Sequence, residues 1–256
     1  MRMHVLALLA SLLLSVPALA EPRVVTVGGY VFPPFVELTS ADEWRGITLT
    51  LLDELNQLQQ DYYFEFYPTS AGRRYTDMKA GRFQMMLFEN PDWGWSQDEF
   101  EGLKGAVMGR EVFIARKQSG RDQAFFANLS GKSIALFSGY HYAFADFVTN
   151  KQFLRSEHNA VFTQSQESNV QMVLRGRVDL AVVTQAWLES YLERYPQYRD
   201  RLLVSEQPDQ LYQHYVLRRR GSNPDMATLQ HLFEQLKSNG TLERVLTEHG
   251  INAIAE

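Results

Sequence analysis

MKAGRFQMMLF (residues 78–88) and VLRGRVDLAVV (residues 173–183) follow one grammar. Each ends a helical pattern, turns at Gly-Arg, passes one apolar and one polar residue, and enters a continuous apolar run. Glycine closes such a helix because it reaches positive φ without a steric cost. An apolar run without alternation is the pattern of a parallel strand covered on both faces. Two copies offset by 95 positions predict two lobes of like construction in an α/β fold.

The stretches around these segments fit that reading. Residues 24–27 (VVTV) form a β-branched run ending at Gly28-Gly29, a strand entering a loop. From Ile47, the apolar residues Leu51, Leu52, Leu55 and Leu58 lie on one helical face, and residues 62–67 read as the next strand. In the second half, residues 134–137 read as a strand ending at Ser138-Gly139. A helical stretch through Phe144 and Phe147 and a strand near Val161-Phe162 are expected to follow. A helix over Val170, Val173 and Leu174 then leads to the turn at Gly176. The last helical stripe holds Leu229, Leu232, Phe233 and Leu236; Gly240 breaks it, and Thr241 is expected to cap a final helix. No Pro-, Gly- or Ser-rich linker separates the halves, which predicts lobes joined by strands.

The first twenty residues read as a cleavable signal peptide. Arg2 and His4 precede an apolar run over 5–16, and Ala18-Leu19-Ala20 offers small residues before a cut at Glu21. The run falls short of the roughly 20 residues that span a bilayer core. The chain is therefore expected to be exported, and the absence of cysteine removes both a lipid anchor at the cut and any disulfide. Together these point to a free protein of the periplasm. Net charge is −5, and losing Arg2 with the leader makes it −6. With no basic tract, nucleic acid is not an expected partner. The cluster Arg218-Arg219-Arg220 reads as a solvated strand end.

Five segments in order carry a family resemblance: VVTVGGYVFPPFVE (24–37), WRGITLTLLDELN (44–56), LSGKSIALFSGYHYAF (129–144), LRGRVDLAVV (174–183) and LFEQLKSNGTLERVLTEHG (232–250). With them the chain resembles the extracellular solute-binding proteins of the polar amino-acid ABC-transporter type (bacterial family 3). The resemblance implies two Rossmann-like lobes joined by two hinge strands, a type II-like periplasmic binding protein or Venus flytrap. Lobe 1 would comprise residues 21–109 and 209–256, lobe 2 residues 110–208, with hinges near 108–113 and 208–212. Ligand would sit between the lobes, where open α/β sheets bind ligands generally. An ABC permease is the implied partner, the expected state is a monomer, and no metal or cofactor is implied.

Members of that family hold α-amino acids with an aromatic residue, an arginine for the carboxylate and an acidic residue for the ammonium, since an unpaired buried ion costs several kcal/mol. This sequence departs at both charged positions. Residues 89–95 read ENPDWGW with no arginine before Arg110, and residues 184–186 read TQA with no carboxylate. The expected ligand is therefore a small polar or aromatic-containing molecule rather than a standard α-amino acid held in the usual way.

The cleft loops are aromatic instead. Tyr30, Phe32, Trp93, Trp95, Tyr140 and Tyr142 offer flat faces to an aromatic, sugar-like or cationic ligand, or else serve as lobe packing. Arg73 or Arg74 stands where distant members carry an arginine, and either one can replace the missing clamp or start a solvated helix. Glu37 and Glu89 are candidates for a ligand cation, and His141 for an anion or for a plain loop histidine. Ser138, Thr184 and Gln185 complete the candidate site as residues at strand ends.

Two alternatives remain open on sequence. One is a ligand-sensing accessory protein for a membrane receptor; the other is a periplasmic dehydratase-like enzyme, which the resemblance also allows. No GxSxG or HExxH occurs and the histidines are scattered, so no catalytic set is expected.

Overall fold

The structure, a computed structural model, describes residues 21–251. The expected signal peptide and residues 252–256 lie outside the described residues. In chain order the elements begin with β1 (Arg23–Gly29), β2 (Glu37–Leu38), β3 (Trp44–Arg45), α1 (Ile47–Leu58), β4 (Tyr62–Pro68), α2 (Arg74–Lys79) and β5 (Met85–Glu89). A long strand β6 (Phe100–Arg116) leads to β7 (Ile134–Phe137), α3 (Lys151–His158), β8 (Ala160–Thr163), α4 (Gln166–Leu174), β9 (Leu180–Thr184) and α5 (Gln185–Arg194). A second long strand, β10 (Leu202–Arg219), precedes α6 (Met226–Ser238) and α7 (Thr241–Glu248).

Eight strands join in the order β4-β1-β5-β10-β6-β9-β7-β8. At one end β1 runs parallel to both β4 and β5; at the other β7 runs parallel to both β8 and β9. These outer trios are the two halves the repeated segment implies, and β5 and β9 carry its apolar runs, every residue of them buried. The glycines before them take positive φ, 74° at Gly81 and 65° at Gly176.

The centre belongs to β6 and β10, which pair antiparallel along nearly their whole lengths, from Arg219↔Phe100 to Leu202↔Arg116. Their two ends serve different halves. Tyr215 to Arg218 of β10 pair with β5, while residues 111–115 of β6 pair with β9. One hydrophobic core gathers residues between Val25 and Val107 and between Tyr212 and Ile251. Two adjoining clusters gather residues between Val112 and Leu202. The fold is thus two Rossmann-like α/β lobes joined by two strands, without a loose tether.

Three local expectations fail for identifiable reasons. The stretch through Phe144 and Phe147 is a single 3-10 turn, Ala143–Ala145, because Asp146 and Phe147 take φ of 51° and 59° and stop the coil. Thr241 does not cap α7. Gly240 occupies that place at φ 78°, with no side-chain cap. Arg218 is buried rather than solvated: it pairs with Glu101 at 2.5 Å and donates to the Pro224 carbonyl.

Candidate functional site

Carboxyl ends of the parallel strands meet where the lobes face each other, and the loops there supply the polar chemistry. The loop after β1 brings Tyr30 and Phe32, α2 brings Arg74, and the end of β5 with its following loop brings Glu89, Trp93 and Trp95. From the other lobe, the loop after β7 brings Ser138, Tyr140 and His141. The crossing strands pass beneath and contribute Glu111, Gln210 and Tyr212.

Arg74 and Glu89 form a buried ion pair at 3.3 Å, each side chain 1% exposed. The Glu89 carboxylate also accepts from Trp95 Nε1 at 2.7 Å. The guanidinium lies over the rings of Tyr30 (4.7 Å) and Tyr75 (4.4 Å), donates to the Ala71 carbonyl, and reaches the Gly139 carbonyl of the other lobe at 3.5 Å. Burial raises the Glu89 pKa more than the attraction of Arg74 and the Trp95 hydrogen bond lower it.

Other contacts cross between the lobes. Tyr140 Oη donates to the Val31 carbonyl at 2.8 Å, and His141 Nε2 lies 3.4 Å from Tyr75 Oη. The Tyr75 hydroxyl proton is committed to the Trp93 carbonyl at 2.6 Å. His141 Nε2 is therefore the donor in that contact, which leaves Nδ1 a bare buried acceptor. Burial, with Arg74 adding to it, pushes the His141 pKa down to about 3, so the ring is neutral. Gly139 takes φ 90°, and a Cβ there would stand 3.0 Å from Ala71 Cβ across the interface. Glycine lets the lobes meet at that point.

The inner cleft is lined by Tyr30, Phe32, Arg74 and Trp93 from one lobe, Tyr140 and His141 from the other, and Glu111 and Gln210 from the crossing strands. Its volume is about 10 Å3, room for about one water. Tyr30 and Phe32 are nearly parallel (8°), while Tyr140 stands at 81° to the first and 88° to the second. Trp93 stands at 78° to Phe32, so the rings form the walls of a box. Glu111, 3% exposed, accepts from Thr184 Oγ1 and Tyr212 Oη through one oxygen, both at 3.0 Å. Burial pushes its carboxyl up to about 8. Behind the box, His214 Nδ1 meets the Phe88 carbonyl at 2.9 Å, while its Nε2 is buried without a partner.

An outer cleft of about 520 Å3 opens beside the box, its polar wall made by Thr69, Ser70, Ser138, Thr149, Lys151 and Gln164. Another hollow, about 550 Å3, lies behind β6 and β10 against α6. It is lined by α1, β5, α6, α7 and the neighbouring parts of β6 and β10, whereas the inner cleft takes residues from both sides.

The candidates named from sequence divide accordingly. Tyr30, Phe32, Arg74, Trp93, Tyr140 and His141 line the inner cleft, Ser138 the outer one, and Glu89 and Trp95 stand behind Arg74. Glu37 pairs with Arg45 on the β2–β3 hairpin, and Arg73 pairs with Asp77 with 66% of its side chain exposed. Tyr142 is lobe packing, its hydroxyl bonded to the Phe137 backbone. Thr184 acts through Glu111, and Gln185 bonds Glu189 along α5. Glu111 and Gln210 were not among the sequence candidates. The signal available was a carboxylate at the mouth of the apolar run EVFIA (111–115).

A family model described as the periplasmic substrate-binding protein of a phosphonate ABC transporter matches residues 56–256. No curated protein is a significant match. Among solved structures, a Streptococcus pneumoniae ABC uptake transporter substrate-binding protein with bound histidine is 15% identical, with TM-score 0.72, covering 91% of this chain and 95% of its own. A histidine kinase sensor domain with similarity to periplasmic binding proteins is 16% identical, with TM-score 0.72 and coverage of 91% and 99%. The VFT2 domain of Bordetella pertussis BvgS is 20% identical, with TM-score 0.61 and coverage of 88% and 92%. These likenesses show the fold, and the matched model shows the family. The chain belongs to the phosphonate-type periplasmic substrate-binding proteins of ABC transporters.

Proposed function

We propose that the chain captures a small molecule between its lobes and presents the closed form to an ABC permease. The carrying observation is the inner cleft, whose walls come from both lobes and from the strands that join them. A molecule held there touches every part that must move for closure. We place lobe 1 at residues 21–109 and 209–256 and lobe 2 at 110–208, a division supported by the separate hydrophobic cores. The leader over residues 1–20, a monomeric state, no nucleic-acid partner and binding without turnover belong to the same reading. Within the periplasmic binding proteins we set the chain beside the polar amino-acid type, on its five motif segments. A standard α-amino acid held in the usual way is not the ligand, because Arg74 is already neutralised by Glu89.

Thermal unfolding against amino acids, amines, sugars, phosphonates and aromatic acids tests this. A ligand at 100 times its Kd adds about 2.7 kcal/mol, a rise of roughly 5 to 10 °C in Tm for a chain of this size. A shift with one class supports capture; silence across all classes overturns it. A second reading, reporting to a membrane receptor, draws on the sensor domains that share the fold. Stimulation of ATP hydrolysis by a reconstituted permease would decide for transport.

A further inference from the structure

The inner cleft has an excess of hydrogen-bond acceptors. One buried acceptor on its walls, His141 Nδ1, lacks a donor. Both hydrogen bonds to Glu111 go to Oε1, so its second oxygen is bonded to no protein donor among the described residues. The one cation on the wall, Arg74, is spent on Glu89. With Glu111 ionised the three charges sum to −1, which a monocation returns to zero. The aromatic walls suit the same guest, because ring faces attract cations and crossed rings surround one from several sides.

We propose that the molecule captured in the inner cleft is a primary organic ammonium ion, boxed by Tyr30, Phe32, Trp93 and Tyr140 and neutralised by Glu111. The inference rests on the capture reading above and adds the ligand's chemical class. The N–H donors of the ammonium supply what the second Glu111 oxygen and His141 Nδ1 lack, and an anionic group has no unpaired cation to meet in the box. Tyr140 belongs to the opposite lobe from the other three rings, so opening removes one wall and admits the guest. Its ring then closes onto the guest, where here it rests 5.5 Å from Phe32.

Glu111 also gives binding a proton signature. The groups facing it are Thr184 from β9, Tyr212 and Asp209 from β10, Tyr140 and Tyr142 from the loop after β7, and the Arg74–Glu89 pair across the box. None is a free cation. Without a guest the carboxyl holds its proton at neutral pH, and an ammonium beside it drives that proton into solvent.

Calorimetry on the exported protein at pH 6.5 compares n-butylammonium, n-butylphosphonate and L-norvaline, which carry ammonium alone, anion alone and both. We expect n-butylammonium to bind at least about tenfold tighter than the others. Between buffers of different ionisation enthalpy its heat should reveal release of about one proton. Glu111→Gln should abolish that release and weaken binding about a hundredfold. The release in the unmutated protein stands as a measurement even if the variant misfolds. Tighter binding of n-butylphosphonate or L-norvaline overturns the ammonium class and leaves capture standing. Ammonium binding that Glu111→Gln leaves unweakened removes Glu111 from the site and overturns the proposal. Binding by none of the three at about 50 mM, the range set for so small a probe, overturns the class; capture itself then falls only if the wider thermal panel is also silent.

Discussion

Arg74 and Glu89 have no solvent to fall back on if either partner is lost. Glu89→Leu should destabilise the protein by about 3–5 kcal/mol, because it leaves a buried guanidinium uncompensated. Adding Arg74→Met should recover most of that loss, since two apolar side chains suit the same dry site. Denaturant unfolding of both variants reads the coupling, and simply additive losses would show that the two side chains act independently. The difference between Arg73 and Arg74 was not legible in the sequence. Adjacent residues on a helix point about 100° apart, but which one faces the cleft depends on how the helix docks. Glu111 was hidden for a related reason: it lies far in sequence from the cleft loops, and its role comes from the hydroxyls of Thr184 and Tyr212 brought from two other strands. The aromatic walls were readable, because rings clustered in loops at strand ends have few places to go.

At the scale of elements, the strand-and-helix grammar carried most of the fold. The parallel strands β5, β7 and β9 follow their apolar runs to within one residue, because strands covered on both faces leave no polar side chains to blur the pattern. The crossing of β6 and β10 needed the family resemblance, since no periodicity states which strands pair. Register shifts lie beside Pro208 and between Gln213 and Tyr215, and proline suits such an irregularity because it donates nothing to the ladder. The turn after β7 offers a test of closure. Gly139→Ala forces a side chain into φ 90° and against Ala71, at a cost of roughly 1–2 kcal/mol. Small-angle scattering should then give a larger radius of gyration than the unmutated protein; an unchanged radius would mean that closure does not depend on this contact.

For the whole molecule, pH acts through buried groups of opposite sense. Burial raises Glu111 to about 8 and Asp209 to about 6, so the native state holds protons that the unfolded chain has released. Their contribution to stability is present in acid and is lost as pH rises through those values. His141 and His214 are lowered to about 3, so below roughly pH 6.5 the unfolded chain gains protons that the native state refuses. The histidines oppose the carboxyls there, leaving Glu111 to dominate between pH 6.5 and 8. Stability should fall by about 1 kcal/mol across that window, and Glu111→Gln should remove the fall. A profile unaffected by the variant would assign the titration to another group. The late position of β10 in the chain has one more effect. Synthesised amino end first, the chain presents residues 117–201, with β7, β8, β9 and their helices, before β10 has emerged. Until then β5 and β6 lack the strand that lies between them, and each exposes an edge able to pair with another chain. The time between arrival of residue 116 and residue 202 is therefore the interval of greatest aggregation risk, and the one in which a chaperone has most to protect.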